Sequence, residues 1–226
     1  AAFFEELRDA GATVLIFRPD HRLFSVNRSR LRRVHRKIAL IDNRIGFVGG
    51  INIIDDMNAS LSDFPRYDYA VQVEGPLLAR IYPAVHALWR WVAWQRLRKA
   101  DVGSLPPHQV PAPAGHHRAG FVVRDNFRNR RAIERMYLKA IGESRHHVLL
   151  MNPYFLPGRR LRRALLAARE RGVKVTILLQ GRADHPVLQM ATRALFGLLL
   201  GAGIEIYEYE KSMLHGKVAA VDDRWA

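Results

Sequence analysis

The pattern HxKxxxxD occurs twice in this chain. One copy is His35-Arg36-Lys37 with Asp42, and the other is His215-Gly216-Lys217 with Asp222, 180 residues further on. The surroundings repeat as well. Apolar residues fill Ile38–Ile41 and Val218–Val221, and a polar dipeptide, Asp42-Asn43 or Asp222-Asp223, opens a turn at each aspartate. Upstream, Ala10-Gly11-Ala12-Thr13-Val14 lines up with Ala202-Gly203-Ile204-Glu205-Ile206, each reading as a helix end, a glycine and a strand. Such a chain is expected to fold as two like halves. The first copy carries about 12 more residues between its glycine and its histidine, in the basic segment Arg18–Lys37. A surface loop tolerates such an insertion. The stretch from His147 to Gln180 has no counterpart in the first half, and four residues follow Asp222. The chain therefore reads as part of a longer duplicated protein, truncated at both ends.

Periodicity and turn residues place the remaining elements. Helices are expected over Ala1–Ala10, Leu77–Leu97, Asn129–Ile141, Arg159–Arg171 and Val187–Leu200. Pro83 is expected to kink the second, and its Trp89, Trp91 and Trp94 are expected mainly in the core. Strands are expected over Thr13–Phe17, Val34–Ile41, Ile45–Val48, Tyr67–Val73, Phe121–Val123, His147–Met151, Val173–Gln180, Ile204–Tyr209 and Lys217–Val221. Strands alternating with helices indicate an α/β fold with a mixed or largely parallel sheet. Four prolines between Asp101 and His117 mark a linker, giving halves over 1–100 and 121–226 around residues 101–120.

The spacing within the motif suits phosphoryl chemistry. Residues i and i+2 of a strand share a face, so His35 and Lys37, or His215 and Lys217, can meet one phosphate. Position i+7 has the opposite parity and falls in the turn, where Asp42 and Asp222 are expected to brace the strand. Two histidines supply a nucleophile and a general acid without a metal, because neutral imidazole attacks phosphorus and imidazolium protonates a leaving oxygen. Two lysines supply charge where the transferring oxygens become negative. The adjacent pairs His116-His117 and His146-His147 do not face one site, so neither metal nor cofactor is expected.

Charge narrows the partners. The formal net charge is +15, which suits an acidic surface or a phosphate-bearing substrate. With 49% apolar residues the chain is an ordinary globular one, and without cysteine it has no disulfide or thiolate site. Its longest apolar run, Ala194–Ile204, is too short to cross a bilayer, which takes about 20 residues.

These motifs resemble those of the phospholipase D superfamily, whose paired HKD motifs build one active site between two similar halves. Within it the chain resembles the bacterial cardiolipin synthases without N-terminal membrane spans. The segments that carry the resemblance are Val34–Lys37 through Gly49-Gly50-Ile51-Asn52, then Asp68-Tyr69-Ala70-Val71, Asn152-Pro153-Tyr154-Phe155, and Leu214–Lys217 through Ala226. Many members carry Gly-Ser-x-Asn where this chain has Gly49-Gly50-Ile51-Asn52, a departure that fits the synthase branch.

The resemblance implies a duplicated α/β sandwich, with mixed sheets flanked by helices. It implies a catalytic set of His35, Lys37, Asp42, His215, Lys217 and Asp222. Asn52 would hold phosphate oxygens, Tyr154 would line the cleft, and Asp68 would orient the first histidine. The implied reaction moves a phosphatidyl group from phosphatidylglycerol through a phosphatidyl-histidine to a hydroxyl-bearing lipid acceptor. Either His35 would be the nucleophile and His215 the acid and then the base, the assignment adopted below, or the two roles would be reversed. The expected setting is an anionic membrane surface, peripheral on the cytoplasmic side of a bacterial inner membrane, and nucleic acid is not the expected partner. The basic insertion and the tryptophan helix are the expected docking elements. Two other readings compete: an HKD phosphodiesterase acting on lipid or nucleic acid, and a basic module that binds such polyanions without catalysis.

Overall fold

The computed structural model describes residues 2–17, 35–53, 64–95, 110–125, 129–182 and 186–226. Residues 18–34 of the basic insertion and 101–109 of the proline-rich stretch lie outside them. The chain forms two compact units, Ala1–Val48 with Gln72–Phe121, and Gly49–Val71 with Val122–Ala226.

The first unit opens with helix α1 (Ala2–Asp9). Strands β1 (Lys37–Ile41), β2 (Ile45–Gly49) and β3 (Ala70–Glu74) form a sheet in the order β1-β2-β3. Asp42 (φ 50°) and Asn43 (φ 53°) both adopt the left-handed conformation, and the Arg44 N–H closes the turn on the Ile41 carbonyl. That is the two-residue turn whose twist matches a hairpin. Helix α2 (Leu78–Gln95) runs through Pro83. It buries Leu78, Ile81, Val92 and Ala93, not its tryptophans. Trp94 is 73% exposed and Trp91 40%, with Trp91 meeting the Phe17 ring 5.5 Å away. The expectation of core tryptophans fails because the small and aliphatic positions already fill the inward face.

The second unit holds α3 (Ala132–Glu143), β4 (His147–Met151), α4 (Arg159–Glu170), β5 (Lys174–Gln180), α5 (Pro186–Arg193), α6 (Phe196–Gly201), β6 (Glu205–Tyr209) and β7 (Val218–Val221). The sheet order is β6-β5-β4-β7, with β4, β5 and β6 parallel and β7 antiparallel to β4. Val175, Ile177 and Leu179 alternate along β5 onto one face and are essentially fully buried. They join Val148 and Leu150 of β4, Ile141 of α3, Leu165 and Ala168 of α4, and Leu199 of α6 in a single cluster. Each such aliphatic side chain contributes about 1.5–3 kcal/mol on burial, so this cluster holds the sheet and its helices together.

The repeat read in the sequence is visible in the backbone. The Ala12 N–H reaches the Leu7 carbonyl at 2.9 Å, and the Ile204 N–H reaches the Leu199 carbonyl at 3.1 Å, each five residues back. Gly11 (φ 86°) and Gly203 (φ 78°) supply the left-handed residue that this helix stop needs. Asp222 (φ 50°) and Asp223 (φ 53°) repeat the turn of the first hairpin, again closed by an arginine N–H, from Arg224 to the Val221 carbonyl.

Three expectations change. Thr13–Phe17 and Phe121–Val123 belong to neither sheet. Apolar content favours a strand only where a neighbour ladders with it, as β5 does with β6, the counterpart of Thr13–Phe17. The expected helix Val187–Leu200 is two helices, separated where the Leu195 N–H bonds back to the Thr192 carbonyl.

Candidate active site

The parallel strands β4, β5 and β6 end on one edge of the second sheet, at Met151, Gln180 and Tyr209. The antiparallel β7 begins there, so Lys217 and His215 lie at the same edge. In α/β sheets the carboxyl ends of the strands are where ligands bind. Neither histidine lies within a strand, contrary to the expectation, because β1 starts at Lys37 and β7 at Val218. His215 is instead held by another segment. Its N–H and that of Gly216 both donate to the Tyr67 carbonyl, at 2.9 and 3.1 Å, while the Tyr67 N–H donates to the Met213 carbonyl at 2.9 Å.

The next residue of that segment supplies the site's carboxylate. Asp68 Oδ2 lies 2.6 Å from His215 Nδ1, with the Asp68 side chain 8% exposed and that of His215 19%. A carboxylate only accepts hydrogen bonds, so Nδ1 is the donor and Nε2 carries the lone pair or second proton that faces a substrate. The other Asp68 oxygen accepts the Tyr69 N–H at 2.8 Å, which locks the carboxylate in place. Asp68 thus orients the second histidine, not the first as the sequence suggested. A side chain on Gly50 would collide with Asp68 Oδ1, and the Gly50 N–H donates to the Tyr69 carbonyl at 2.8 Å. The departure from Gly-Ser-x-Asn at this position therefore has a steric reason: the Asp68 carboxyl lies against the Gly50 backbone.

Gln180 was missed by sequence reasoning. It closes β5, is 5% exposed, and its Oε1 accepts the Leu214 N–H at 2.6 Å, one residue ahead of His215. The signal available was one polar residue ending an otherwise apolar strand. Two tyrosines flanking Asp68 were missed too. Tyr67 stacks on Tyr209 with centroids 5.4 Å apart, and the Tyr67 and Tyr69 hydroxyls lie 2.8 Å apart. That hydrogen bond with Tyr67 raises the Tyr69 phenol above its ordinary pKa.

The other expected residues fall as follows. The Lys217 ammonium donates to the His215 carbonyl at 2.7 Å and is exposed at the same edge. His35 is exposed and Lys37 half-buried at the start of β1, in the first unit. Asn52 is half-buried and belongs to the second unit with Asp68. Tyr154 lines a small cleft with Gln180, Gln189, Thr192, Arg193 and Phe196.

Asp222 stands apart from this chemistry. Its Oδ1 accepts the N–H groups of His146 and His147, both at 2.9 Å, and its Oδ2 accepts that of Arg145 at 2.6 Å. These bonds, led by that from His147, hold its pKa down to about 2. The four residues of β7, at about 3.3 Å each, put roughly 13 Å of strand between it and Lys217. It ties β7 to the start of β4. This is the bracing role that its place in the turn suggested, and Asp42 occupies the same turn position in the first hairpin.

Residues 137–226 match the family described as cardiolipin synthase, PLD-like domain. The chain is 39% identical to cardiolipin synthase B of Salmonella typhimurium over 232 residues, covering all of this chain and 54% of that protein. It is 38% identical to cardiolipin synthase B of Escherichia coli K12, covering 99% of this chain and 54% of that protein. It is 31% identical to cardiolipin synthase of Geobacillus kaustophilus, covering 100% and 44%. The chain thus spans about half the length of the curated relatives it matches. The crystal structure of phosphatidylserine synthase from Haemophilus influenzae shares its fold at a TM-score of 0.51 and 15% identity, over 84% of this chain and 52% of that one. A histidine held by a carboxylate beside the second hairpin motif is thus found within a PLD-like domain match, and the chain is similar along its whole length to cardiolipin synthases.

Proposed function

We propose that the chain is part of a cardiolipin synthase-like phosphatidyltransferase. The observation that carries this is the His215–Asp68 pair. It presents Nε2 of a motif histidine at the sheet edge with Lys217 beside it. The paired motifs supply the second histidine, His35, and its lysine, Lys37. The proposal includes reading 1–100 and 121–226 as two phospholipase D-like halves joined by 101–120.

In the first step His35 attacks the phosphorus of phosphatidylglycerol. A nitrogen–phosphorus bond forms, the bond from phosphorus to the headgroup glycerol oxygen breaks, and His215 gives that oxygen its proton. In the second step His215 takes the proton from a hydroxyl of the acceptor lipid, whose oxygen attacks phosphorus and releases His35. With phosphatidylglycerol as acceptor the products are cardiolipin and glycerol. Asp68 holds one tautomer of His215 through both proton transfers. Lys37, Lys217 and Asn52 hold the phosphate oxygens. Tyr154 lines the cleft for the lipid headgroup.

The setting in this reading is the cytoplasmic face of a bacterial inner membrane, with the protein peripheral. The +15 charge supports an anionic surface, and among the described residues no helix is long and apolar enough to cross a membrane. The test is incubation with phosphatidylglycerol vesicles, followed by mass spectrometry of the lipids. Cardiolipin and glycerol are expected from the wild type and from neither His35→Ala nor His215→Ala. Phosphatidic acid instead of cardiolipin means hydrolysis, and unchanged lipid removes the reading and turns the search to nucleic acid.

A further inference from the structure

The outer face of α5 and α6 in the second unit is poorly suited to water. Between Pro186 and Gly203 there is one charged residue, Arg193, and it is paired with Glu208 at 3.0 Å. Val187 is 78% exposed, Met190 73%, Leu198 49% and Leu200 51%. Val187, Met190, Ala191 and Ala194 follow the i, i+3, i+4, i+7 spacing of one helical stripe, and all four are exposed. The inward positions are already used, since Thr192 and Leu199 are buried and Leu195 packs against the core. An outward helix face normally carries charge, whereas this one repeats an apolar stripe on the side that has no core to meet.

A second feature borders the stripe. Helix α4 begins with Arg159, Arg160, Arg162 and Arg163 and carries no acid before Glu170. Arg159, Arg160 and Arg163 are exposed, and Leu156 just ahead of them is 48% exposed. Helix α4 follows the end of β4, and α5 follows the end of β5. Both helices therefore start at the edge that carries His215 and Lys217. Leu165 and Ala168 of α4 and Leu199 of α6 join one cluster with β5, so α4 and α6 also lie on the same side of the sheet.

We propose that the outward face of α5 and α6, with the arginines that open α4, docks the second unit on an anionic phospholipid bilayer. The apolar stripe enters the headgroup layer, and the guanidinium groups take the surrounding phosphates. A second copy of this chain fits less well, because a self-complementary contact would bring one arginine cluster toward the other. In this orientation the edge that carries His215, where α4 and α5 start, lies beside the lipid surface, within reach of a headgroup whose acyl chains stay in the bilayer. In this it rests on the phosphatidyltransferase reading.

The test is sedimentation with vesicles of phosphatidylcholine alone or of phosphatidylcholine with phosphatidylglycerol. The wild type is compared with a Val187→Glu/Met190→Glu variant and an Arg159→Glu/Arg160→Glu/Arg163→Glu variant. These positions are exposed, so all three proteins should melt alike. The wild type is expected to bind only the anionic vesicles, and each variant to bind them at least about tenfold more weakly. Wild-type affinity in the Val187→Glu/Met190→Glu variant overturns the proposal. So does a variant that binds vesicles normally but changes the oligomeric state seen by light scattering, which would assign the stripe to a contact between copies. The two readings fail separately. Loss of binding in the variants, with no cardiolipin made by the wild type, keeps the docking face and removes the transferase. Cardiolipin synthesis with unaltered variant binding does the reverse.

Discussion

Asp68 and His215 are 147 residues apart in the chain and 2.6 Å apart in space. The pair fixes which imidazole nitrogen is available to a substrate. Asp68→Asn preserves the shape of the side chain but can donate to Nδ1, which favours the wrong tautomer. We expect kcat for lipid transfer to fall by about 10–100-fold with KM little changed, and Asp68→Glu to recover part of the loss. Steady-state kinetics on phosphatidylglycerol vesicles measure this.

Gly50 tests the same pair from its other side. A Gly50→Ala methyl group must displace the Asp68 carboxylate. The low-field proton resonance of His215 Nδ1–H should then shift or disappear, while the melting temperature changes little. An unchanged resonance would mean that the carboxylate does not occupy this position.

Gln180 positions His215 through the Leu214 backbone. Gln180→Met keeps the length but leaves a buried N–H without an acceptor, a loss of about 1–3 kcal/mol. Gln180→Glu retains the acceptor oxygen. We expect the methionine variant to lose both melting temperature and kcat, and the glutamate variant to keep most of its kcat. Equal loss of kcat in both would show that the hydrogen bond does not set the position of His215.

Asp222 makes stability depend on pH. Its carboxyl is held at about 2 in the fold, against an ordinary 3.8, chiefly by the His147 N–H. A depressed carboxyl stabilises fully above its unfolded pKa, and its contribution fades as pH falls through the folded value. Wild type should therefore melt higher than Asp222→Asn near neutral pH, and the gap should narrow between about pH 4 and pH 2. A gap independent of pH would contradict the three-bond carboxylate.

Much of this structure is legible in the sequence where local chemistry decides it. Strand β4 occupies His147–Met151 as expected, since its apolar residues are bounded by charged and polar neighbours. The Asp-Asn and Asp-Asp dipeptides both form the left-handed turn that such residues tolerate. What was not legible depends on long-range partners. Spacing alone gives Asp68 to neither histidine, and only the backbone pairing of Tyr67 with Leu214 decides between them. The role of Gln180 likewise depends on a residue 34 positions away. The tryptophans of α2 looked like core by residue type, but the helix turns Leu78 and Ile81 inward instead.

The segment carrying Tyr67 and Asp68 bears on how such a protein can be cut and recombined. It precedes the proline-bearing stretch 101–117 in sequence, yet the histidine it orients follows that stretch. A second half expressed from residue 122 onward would keep His215, Lys217 and the whole four-stranded sheet but lose the carboxylate partner of its histidine. Swapping second halves between relatives would likewise pair each imported histidine with the recipient's carboxylate. The Tyr67–Asp68 segment and the second motif thus form one working piece, and mismatched pieces should show their incompatibility first at the Tyr67–Leu214 pairing.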